Sequence, residues 1–315
     1  MRQKVVKIDI NNKVYGGRIY ENEIIRLLED NIEFERVFIM KHKIRFLNIF
    51  RLIAILIKYK YFFSGTLLLT NATTFFSGLR SRNIVVVHHI DAKFSFSPTI
   101  LFNWFCNHYL YAHKSRFDKV VVVAEVWRQA LERSGFKNVI KIYNSFNPQD
   151  YIISNEKILA FKTKYGLLNK PIIYLGNCLK RKGVLQCYDC LKYLDVSLVT
   201  SGNKDVEVNT IHLDLPYSEY RLLLASADVV LTMSLFLEGW NRVAHEASLC
   251  GTTVIGSGTG GMKELLEMAG QKISDFTHLK DDVVNALKVK YTPTEEIKSL
   301  DLQYFQTEWL KVFSE

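Results

Sequence analysis

The sequence predicts an α/β chain of two doubly wound halves, split near residue 150, with a ligand cleft between them. Three observations predict it. Apolar β-branched runs alternate with helical stretches from end to end. The runs are continuous, as in strands buried on both faces of a parallel sheet. The pattern restarts after "IYNSFNPQDY" (142–151). A chain of 315 residues, 48% hydrophobic, is long enough to fill two cores.

In the first half, "KVVKIDI" (4–10) reads as a strand and Arg18 to Asp30 as a helix. "TLLLT" (66–70), "NIVVVHHI" (83–90) and "KVVVVA" (119–124) are further strands, and Glu125 to Ser134 is a helix. In the second half, Lys157 to Tyr165 reads as a helix. Strands follow in "PIIYLGN" (171–177), "DVSLVTSGN" (195–203), "NTIHLDL" (209–215), "DVVLTMS" (228–234) and "TTVIGSG" (252–258), with helices between them. The expected division is 1–150, 151–293 and a final helix over 294–315 that packs back across the boundary.

The net charge is +9 and is unevenly placed: 23 basic and 12 acidic residues in 1–150, against 18 and 20 in the remainder. From Arg36 to Ile90 there is no Asp or Glu but nine Lys or Arg, so this half is expected to face something anionic. Nucleic acid is disfavoured as that partner, because the basic residues interleave with bulky apolar ones and form no recognisable motif. Five cysteines without framework spacing suit a reducing cytoplasm. Cys187 and Cys190 form a CxxC, read as buried small residues since no second pair completes a metal site. The stretch "MRQKVVKIDINNKVYGG" has no apolar core of signal-peptide length and reads as a strand entering a turn. Tyr61 to Leu79 is uncharged but broken by Ser, Thr, Asn and Gly, and so fails as a membrane span.

Three loops at strand ends of the second half carry suitable chemistry. "YLGNCLKRKGV" (174–184) ends a strand, places Lys180, Arg181 and Lys182 in a loop and opens a helix at Gly183, a pattern that suits phosphate. "EGWNRVAHE" (238–246) holds Glu238 in a loop and Glu246 in the helix that follows. If most of that segment is helical, its carboxylates lie roughly 12 Å apart. Glycosidase pairs lie about 5 to 9.5 Å apart. The wider spacing fits two carboxylates gripping opposite ends of a long ligand such as a sugar nucleotide. "GSGTGGMKE" (256–264) offers Gly258, Gly260 and Gly261 for close backbone approach. Each loop alone reads equally as a solvated loop, a wet helix face or a plain turn; the three in this order make the case.

The stretch "SLFLEGWNRVAHEASLCGTTVIGSGTGGMKEL" (234–265) resembles the signature of glycosyltransferase family four, retaining enzymes of the GT-B fold: a Glu, seven residues, a second Glu, then GG and another Glu, here Glu238, Glu246, Gly260, Gly261 and Glu264. The likeness extends to "VYGGRIYENEI" (14–24), "VVVHHID" (85–91), "FDKVVVVAEVWRQALERSGFKNVIKIYNSFN" (117–147) and "YLGNCLKRKG" (174–183). It implies two Rossmann-like doubly wound domains facing a central cleft, an acceptor-binding one over 1–150 and a nucleotide-sugar-binding one over 151–293.

The resemblance also implies roles. Glu246 would hold the nucleotide ribose, Glu238 the donor sugar near the transferred carbon, and Lys182 the diphosphate. His88 or His89 would act at the donor sugar, and Gly16 and Gly17 would cover the phosphates. Backbone near Trp240, Asn241 and Arg242 and near Gly260 to Met262 would cradle diphosphate and sugar. Asn177 stands where the family usually has Arg, which leaves Arg181 or Lys180 to supply that charge; Trp240 replaces the usual Phe. The implied activity is retaining, metal-independent hexosyl transfer from a UDP- or GDP-type donor, without a further cofactor. A sugar-nucleotide epimerase, a phosphorylase or a non-catalytic subunit on the same frame are the alternatives.

The acceptor side is expected in the first half. "KHKIRFLNIFRLIAILIKYK" (41–60) reads as an amphipathic helix with Lys41, Arg45, Asn48, Arg51 and Lys58 on one face, able to lie on an anionic membrane. "FSFSPTILFNWFCNHYLYAHKSR" (94–116) holds seven aromatic residues followed by basic ones. Together they suggest a lipid-linked or surface-glycan acceptor and a cytoplasmic enzyme peripheral on the inner face of the membrane.

Overall fold

The computed structural model of the chain describes residues 2–13, 16–40, 45–90 and 98–314. These form two compact units, Met1–Asn144 with Leu302–Glu315, and Ser145–Asp301.

The first unit contains β1 (Gln3–Asp9), α1 (Gly16–Leu28), β2 (Ile32–Phe38), α2 (Arg45–Ile57), β3 (Thr66–Thr70), β4 (Arg82–Val87), α3 (Pro98–Ala112), β5 (Lys119–Val122), α4 (Glu125–Arg133) and β6 (Val139–Lys141). Its sheet has the order β2-β1-β3-β4-β5-β6, with every pair parallel. Leu67 to Leu69, Ile84 to Val87 and Val120 to Val122 are fully buried, as continuous apolar runs between two helical layers require. β2 is an edge strand, and "IEFERVF" alternates apolar with charged residues accordingly. Gly16 and Gly17, expected in a loop, form the first turn of α1.

The second unit contains α5 (Asn155–Lys164), β7 (Ile172–Asn177), α6 (Val184–Leu191), β8 (Ser197–Ser201), β9 (Ile211–Leu213), α7 (Tyr217–Ser226), β10 (Val229–Thr232), α8 (Arg242–Leu249), β11 (Thr253–Gly256), α9 (Met262–Met268), β12 (Lys272–Ile273), α10 (Leu279–Ala286) and α11 (Glu295–Ser299). Its parallel sheet has the order β12-β11-β10-β7-β8-β9. Cys187 lies on α6 in the core between sheet and helices, where burial pushes its thiol up; Cys190 Sγ contacts Phe276 O at 3.3 Å. Both therefore pack as small apolar side chains.

The single closing helix expected over 294–315 is two. α11 ends at Ser299 because Leu300 leaves helical geometry (φ −78°, ψ 54°), and its carbonyl accepts from Phe146 N at 3.2 Å. α12 (Leu302–Ser314) belongs to the first unit. Its Phe305 meets Tyr20 edge-on at 4.9 Å, and Gln306 Nε2 donates to Leu27 O at 2.7 Å. Arg82 caps its C-terminus, donating to Val312 O and Phe313 O.

α2 differs from the basic-faced helix expected over 41–60. Lys41 lies outside the described residues. Arg51 folds back, its Nε donating to Phe38 O at 2.7 Å. Ile55 and Tyr59 face inward, whereas Ile49, Phe50, Ile53 and Ile57 are exposed, followed by Phe62 at 73%. Only a narrow side of the helix packs beside edge strand β2, so its apolar side chains outnumber the inward positions. α3 repeats this: Cys106, Tyr109 and Leu110 are buried, while Leu101, Phe102, Trp104 and Phe105 are exposed. Phe94 and Phe96 fall outside the described residues. Among those residues no helix is long and apolar enough to cross a membrane.

Candidate active site

β7, β10 and β11 are neighbours in the second sheet. From β7 the chain passes to β8 and β9 on one side and returns to β10, β11 and β12 on the other. The switch point between β7 and β10 is where a doubly wound sheet opens a crevice at its carboxyl ends. The three loops singled out in the sequence leave these three strands.

In the first loop, a single 3₁₀ turn holds Lys180, Arg181 and Lys182, and Asp205 Oδ1 accepts from Lys180 N at 2.5 Å. Gly183 follows at φ 74°; a Cβ there would lie 2.2 Å from Met233 O, so only glycine lets this loop pass the end of β10. Arg181 and Lys182 lie over the Phe236 ring at 5.3 and 5.1 Å. Asn177 Oδ1 accepts from Tyr174 Oη at 3.3 Å and Ser201 Oγ at 3.4 Å, so its carbonyl oxygen is engaged towards β8.

In the second loop, Glu238 is buried and its Oε1 gathers three donors: Lys182 Nζ at 2.6 Å, Ser234 Oγ at 2.5 Å and Asn241 Nδ2 at 3.4 Å. Asn241 also caps α8, its Oδ1 accepting from Ala244 N at 3.0 Å. Only the later part of 238–246 is helical, since α8 begins at Arg242, so the roughly 12 Å reckoned for a mostly helical segment does not apply. In the third loop, Gly260 (φ 62°) pairs with Glu238 in a short parallel bridge, and Gly261 N donates to Glu238 O at 2.9 Å. A Cβ on Gly260 would lie 2.3 Å from Glu238 O. The close approach that Gly260 permits is thus to the backbone carrying Glu238.

Glu246 is buried on α8, and its Oε1 accepts from Tyr217 Oη at 2.8 Å and Tyr151 Oη at 3.1 Å. Burial pushes its carboxyl above the ordinary value, opposed by Arg242, the two tyrosines and Arg221. Arg242 lies with Nη2 4.0 Å from Oε1 and its guanidinium over Phe146 at 4.3 Å. Beside it, His245 accepts from Trp240 Nε1 at 3.3 Å on Nδ1, and its Nε2 lies 3.3 Å from Ile297 O. Burial pushes His245 down to about 3, so it stays neutral and ties α8 to α11.

In the first unit the two histidines differ. His88 Nε2 lies 3.2 Å from Glu21 Oε1, and the ring meets Tyr20 edge-on at 5.3 Å. His89 is exposed, and its carbonyl accepts from Asn71 Nδ2 at 2.7 Å. Glu21 belongs to a buried network. Lys7 Nζ bridges Asp9 Oδ1 and Glu21 Oε2, both at 2.7 Å; Arg18 pairs with Asp9; and Arg36 reaches Asp9 Oδ2 at 3.0 Å. Burial alone would raise Glu21, but Lys7 and His88 hold its carboxyl down at about 2. Gly16 and Gly17 open α1, the helix that carries Arg18 and Glu21.

Ser234, Tyr151, Tyr217, His245 and Glu21 were not singled out from the sequence. Ser234 closes "DVVLTMS" four residues before Glu238, and Tyr151 follows an Asn-Pro turn. Tyr217 carries no local signal beyond Pro216 before a helix.

No protein-family model and no curated protein matches the sequence. Solved structures match over its full length. The HepE protein of Anabaena, in complex with UDP-glucose, is 17% identical with a TM-score of 0.77, covering 99% of this chain and 100% of that one. A sucrose-phosphate synthase from Thermosynechococcus elongatus is 15% identical with a TM-score of 0.72, covering 99% and 95%. WaaG, a glycosyltransferase involved in lipopolysaccharide biosynthesis, is 11% identical with a TM-score of 0.68, covering 99% and 95%. At such identities the likeness speaks for the fold alone: the chain has the GT-B fold, with two Rossmann-like units of six parallel strands each.

Proposed function

We propose that the chain is a retaining glycosyltransferase of family four, moving a hexose from a nucleoside-diphosphate sugar to an acceptor hydroxyl on a lipid-linked or surface glycan. The observation that carries this reading is Lys182 paired with Glu238 at the switch point, with Glu246 buried on the helix that the same loop feeds. UDP-glucose bound to HepE favours a uridine donor.

Departure of the nucleoside diphosphate builds negative charge on the phosphates and positive charge on the sugar ring. Lys182, Arg181 and the N-terminus of α8 would stabilise the first as preorganised positive charge, without a metal ion. Glu238 would lie beside the sugar, its carboxylate held by Ser234 and Asn241. Glu246 would accept hydrogen bonds from the ribose. Of the histidine pair, His88, anchored by Glu21, is the better candidate for the role that the resemblance implies. Front-face attack by the acceptor hydroxyl would retain the anomeric configuration.

The exposed apolar side chains of α2 and α3, in a half rich in lysine and arginine, support an anionic membrane as the place where the acceptor is met. Apolar contact then leads, and the basic residues assist. Co-sedimentation with anionic vesicles should drop for Ile53→Asp; equal sedimentation of both proteins would refute the membrane contact.

The function is tested by incubating the protein with UDP- and GDP-sugars and glycan acceptors in the presence of a chelator. The expected result is release of nucleoside diphosphate, an anomer matching the donor's by NMR, and loss of both with Lys182→Ala. An inverted product would overturn the retaining mechanism, and a requirement for added divalent ions would overturn metal independence.

A further inference from the structure

We infer that Tyr151 and Tyr217 position Glu246 for the nucleotide: their hydroxyls hold one carboxylate oxygen, Oε1, and leave Oε2 to the ribose hydroxyls. The inference rests on the proposed role of Glu246 as the ribose ligand and adds two positioning residues to it.

The geometry is a closed triangle. Tyr217 Oη is 2.8 Å from Oε1, Tyr151 Oη is 3.1 Å from it, and the two hydroxyls are 3.2 Å apart. Each hydroxyl has one proton, and the acceptor that rewards it most is the carboxylate. Among the described residues no side chain donates to Oε2. The rings are themselves fixed. Arg221 lies 5.9 Å from the Tyr151 ring and 5.7 Å from the Tyr217 ring, and its Nη1 donates to Asp150 O at 2.8 Å. Tyr151 is buried, whereas Tyr217, the first residue of α7, is 55% exposed. A purely structural anchor for α8 would not need a half-exposed phenol. A carboxylate prepared for a ligand does, because the ligand must reach the oxygen beside it.

The arrangement has a consequence in pH. Glu246 is held above the usual carboxylate range by burial, and the tyrosine donors work against that rise together with Arg242 and Arg221. The other titratable groups facing it are Tyr174, Tyr220 and Cys250, all pushed up and neutral, and His245, pushed down to about 3 and neutral. Glu246 is thus the group in this cluster whose anionic form the two phenols favour. Removing a phenol donor destabilises the anion, so ribose binding should fail at a higher pH.

The test is calorimetric binding of UDP and GDP to the full chain from pH 5 to 8, for wild type, Tyr151→Phe, Tyr217→Phe and Glu246→Ala, with melting temperatures to check folding. The wild type should bind one of the two, and Glu246→Ala should lose ~10–100-fold in affinity. Each Phe variant should lose ~3–10-fold at pH 8 and show its acid limb displaced to higher pH. If Glu246→Ala loses binding while both folded Phe variants keep wild-type affinity and an unshifted limb, the inference falls and the ribose reading stands. If the wild type binds neither nucleotide, or Glu246→Ala binds like wild type, both fall.

Discussion

Lys182, which the proposed function assigns to the diphosphate, is paired with a carboxylate. Lys182 Nζ lies 2.6 Å from Glu238 Oε1. At that distance, with an effective dielectric of about 20, the gross attraction is about 6 kcal/mol. The Lys182 side chain is 24% exposed, so solvent screening and the hydration of the ammonium group return most of this. A net cost of ~1–1.5 kcal/mol then remains for a phosphate that must displace Glu238, equivalent to ~5–10-fold in dissociation constant. Glu238→Gln keeps the size and the acceptor for Ser234 but removes the charge. The free nucleoside diphosphate that wild type binds should therefore bind the variant ~5–10-fold more tightly, while sugar transfer collapses. Titration calorimetry with the diphosphate, which lacks the donor hexose, isolates the Lys182 effect from contacts to the transferred sugar. Unchanged or weaker binding by Glu238→Gln would refute the reasoning that Glu238 competes for Lys182.

Four further outcomes are expected. The folded-state carboxyl of Glu246 lies above its ordinary value of 4.5, so the folded protein holds that proton more tightly and loses stability as pH rises through the window; Glu246→Gln should raise the melting temperature at pH 7 and weaken nucleotide binding. Glu21 behaves oppositely: depressed to about 2, it contributes stability above pH 4.5 that is lost as pH falls towards 2, and denaturant unfolding of Glu21→Gln should show a flatter loss over that range. Breaking the same network with Lys7→Ala leaves buried carboxylates short of a partner and should cost ~3–5 kcal/mol in an unfolding titration. Gly260→Ala places a Cβ 2.3 Å from Glu238 O at a positive φ, costing ~1–3 kcal/mol, and should abolish donor binding in the protein that still folds.

Much of the fold was legible because parallel strands buried on both faces leave continuous apolar runs. "TLLLT" and "KVVVVA" cannot easily be anything else, and β3 and β5 lie there. Three of the four edge strands were not legible, for the converse reason; the fourth, β9, lies within "NTIHLDL". β2 alternates with charged residues, and β6 and β12 have three and two residues, too short for any period. The break between α11 and α12 was missed because Leu300 and Asp301 carry no Gly or Pro; tertiary contacts set it. In the second unit, the Lys182–Glu238 pair joins residues 56 apart that the spacing within each loop placed at a common sheet end, and the topology brings them together. The tyrosines on Glu246 come from two other elements, and no local pattern marks a phenol as a carboxylate donor. On α2, periodicity separated apolar from basic residues but could not say which set faces the protein, since that depends on how little of β2's flank there is to cover.

We propose that the second unit holds a nucleoside diphosphate with its ribose on Glu246. The most direct measurement is the melting temperature of wild type and Glu246→Ala against a panel of nucleoside diphosphates and their sugar conjugates, because a ligand that binds only the folded state raises it by mass action. The expected result is a rise with one base in the wild type that disappears in Glu246→Ala. No rise with any nucleotide, or an equal rise in both proteins, would contradict it.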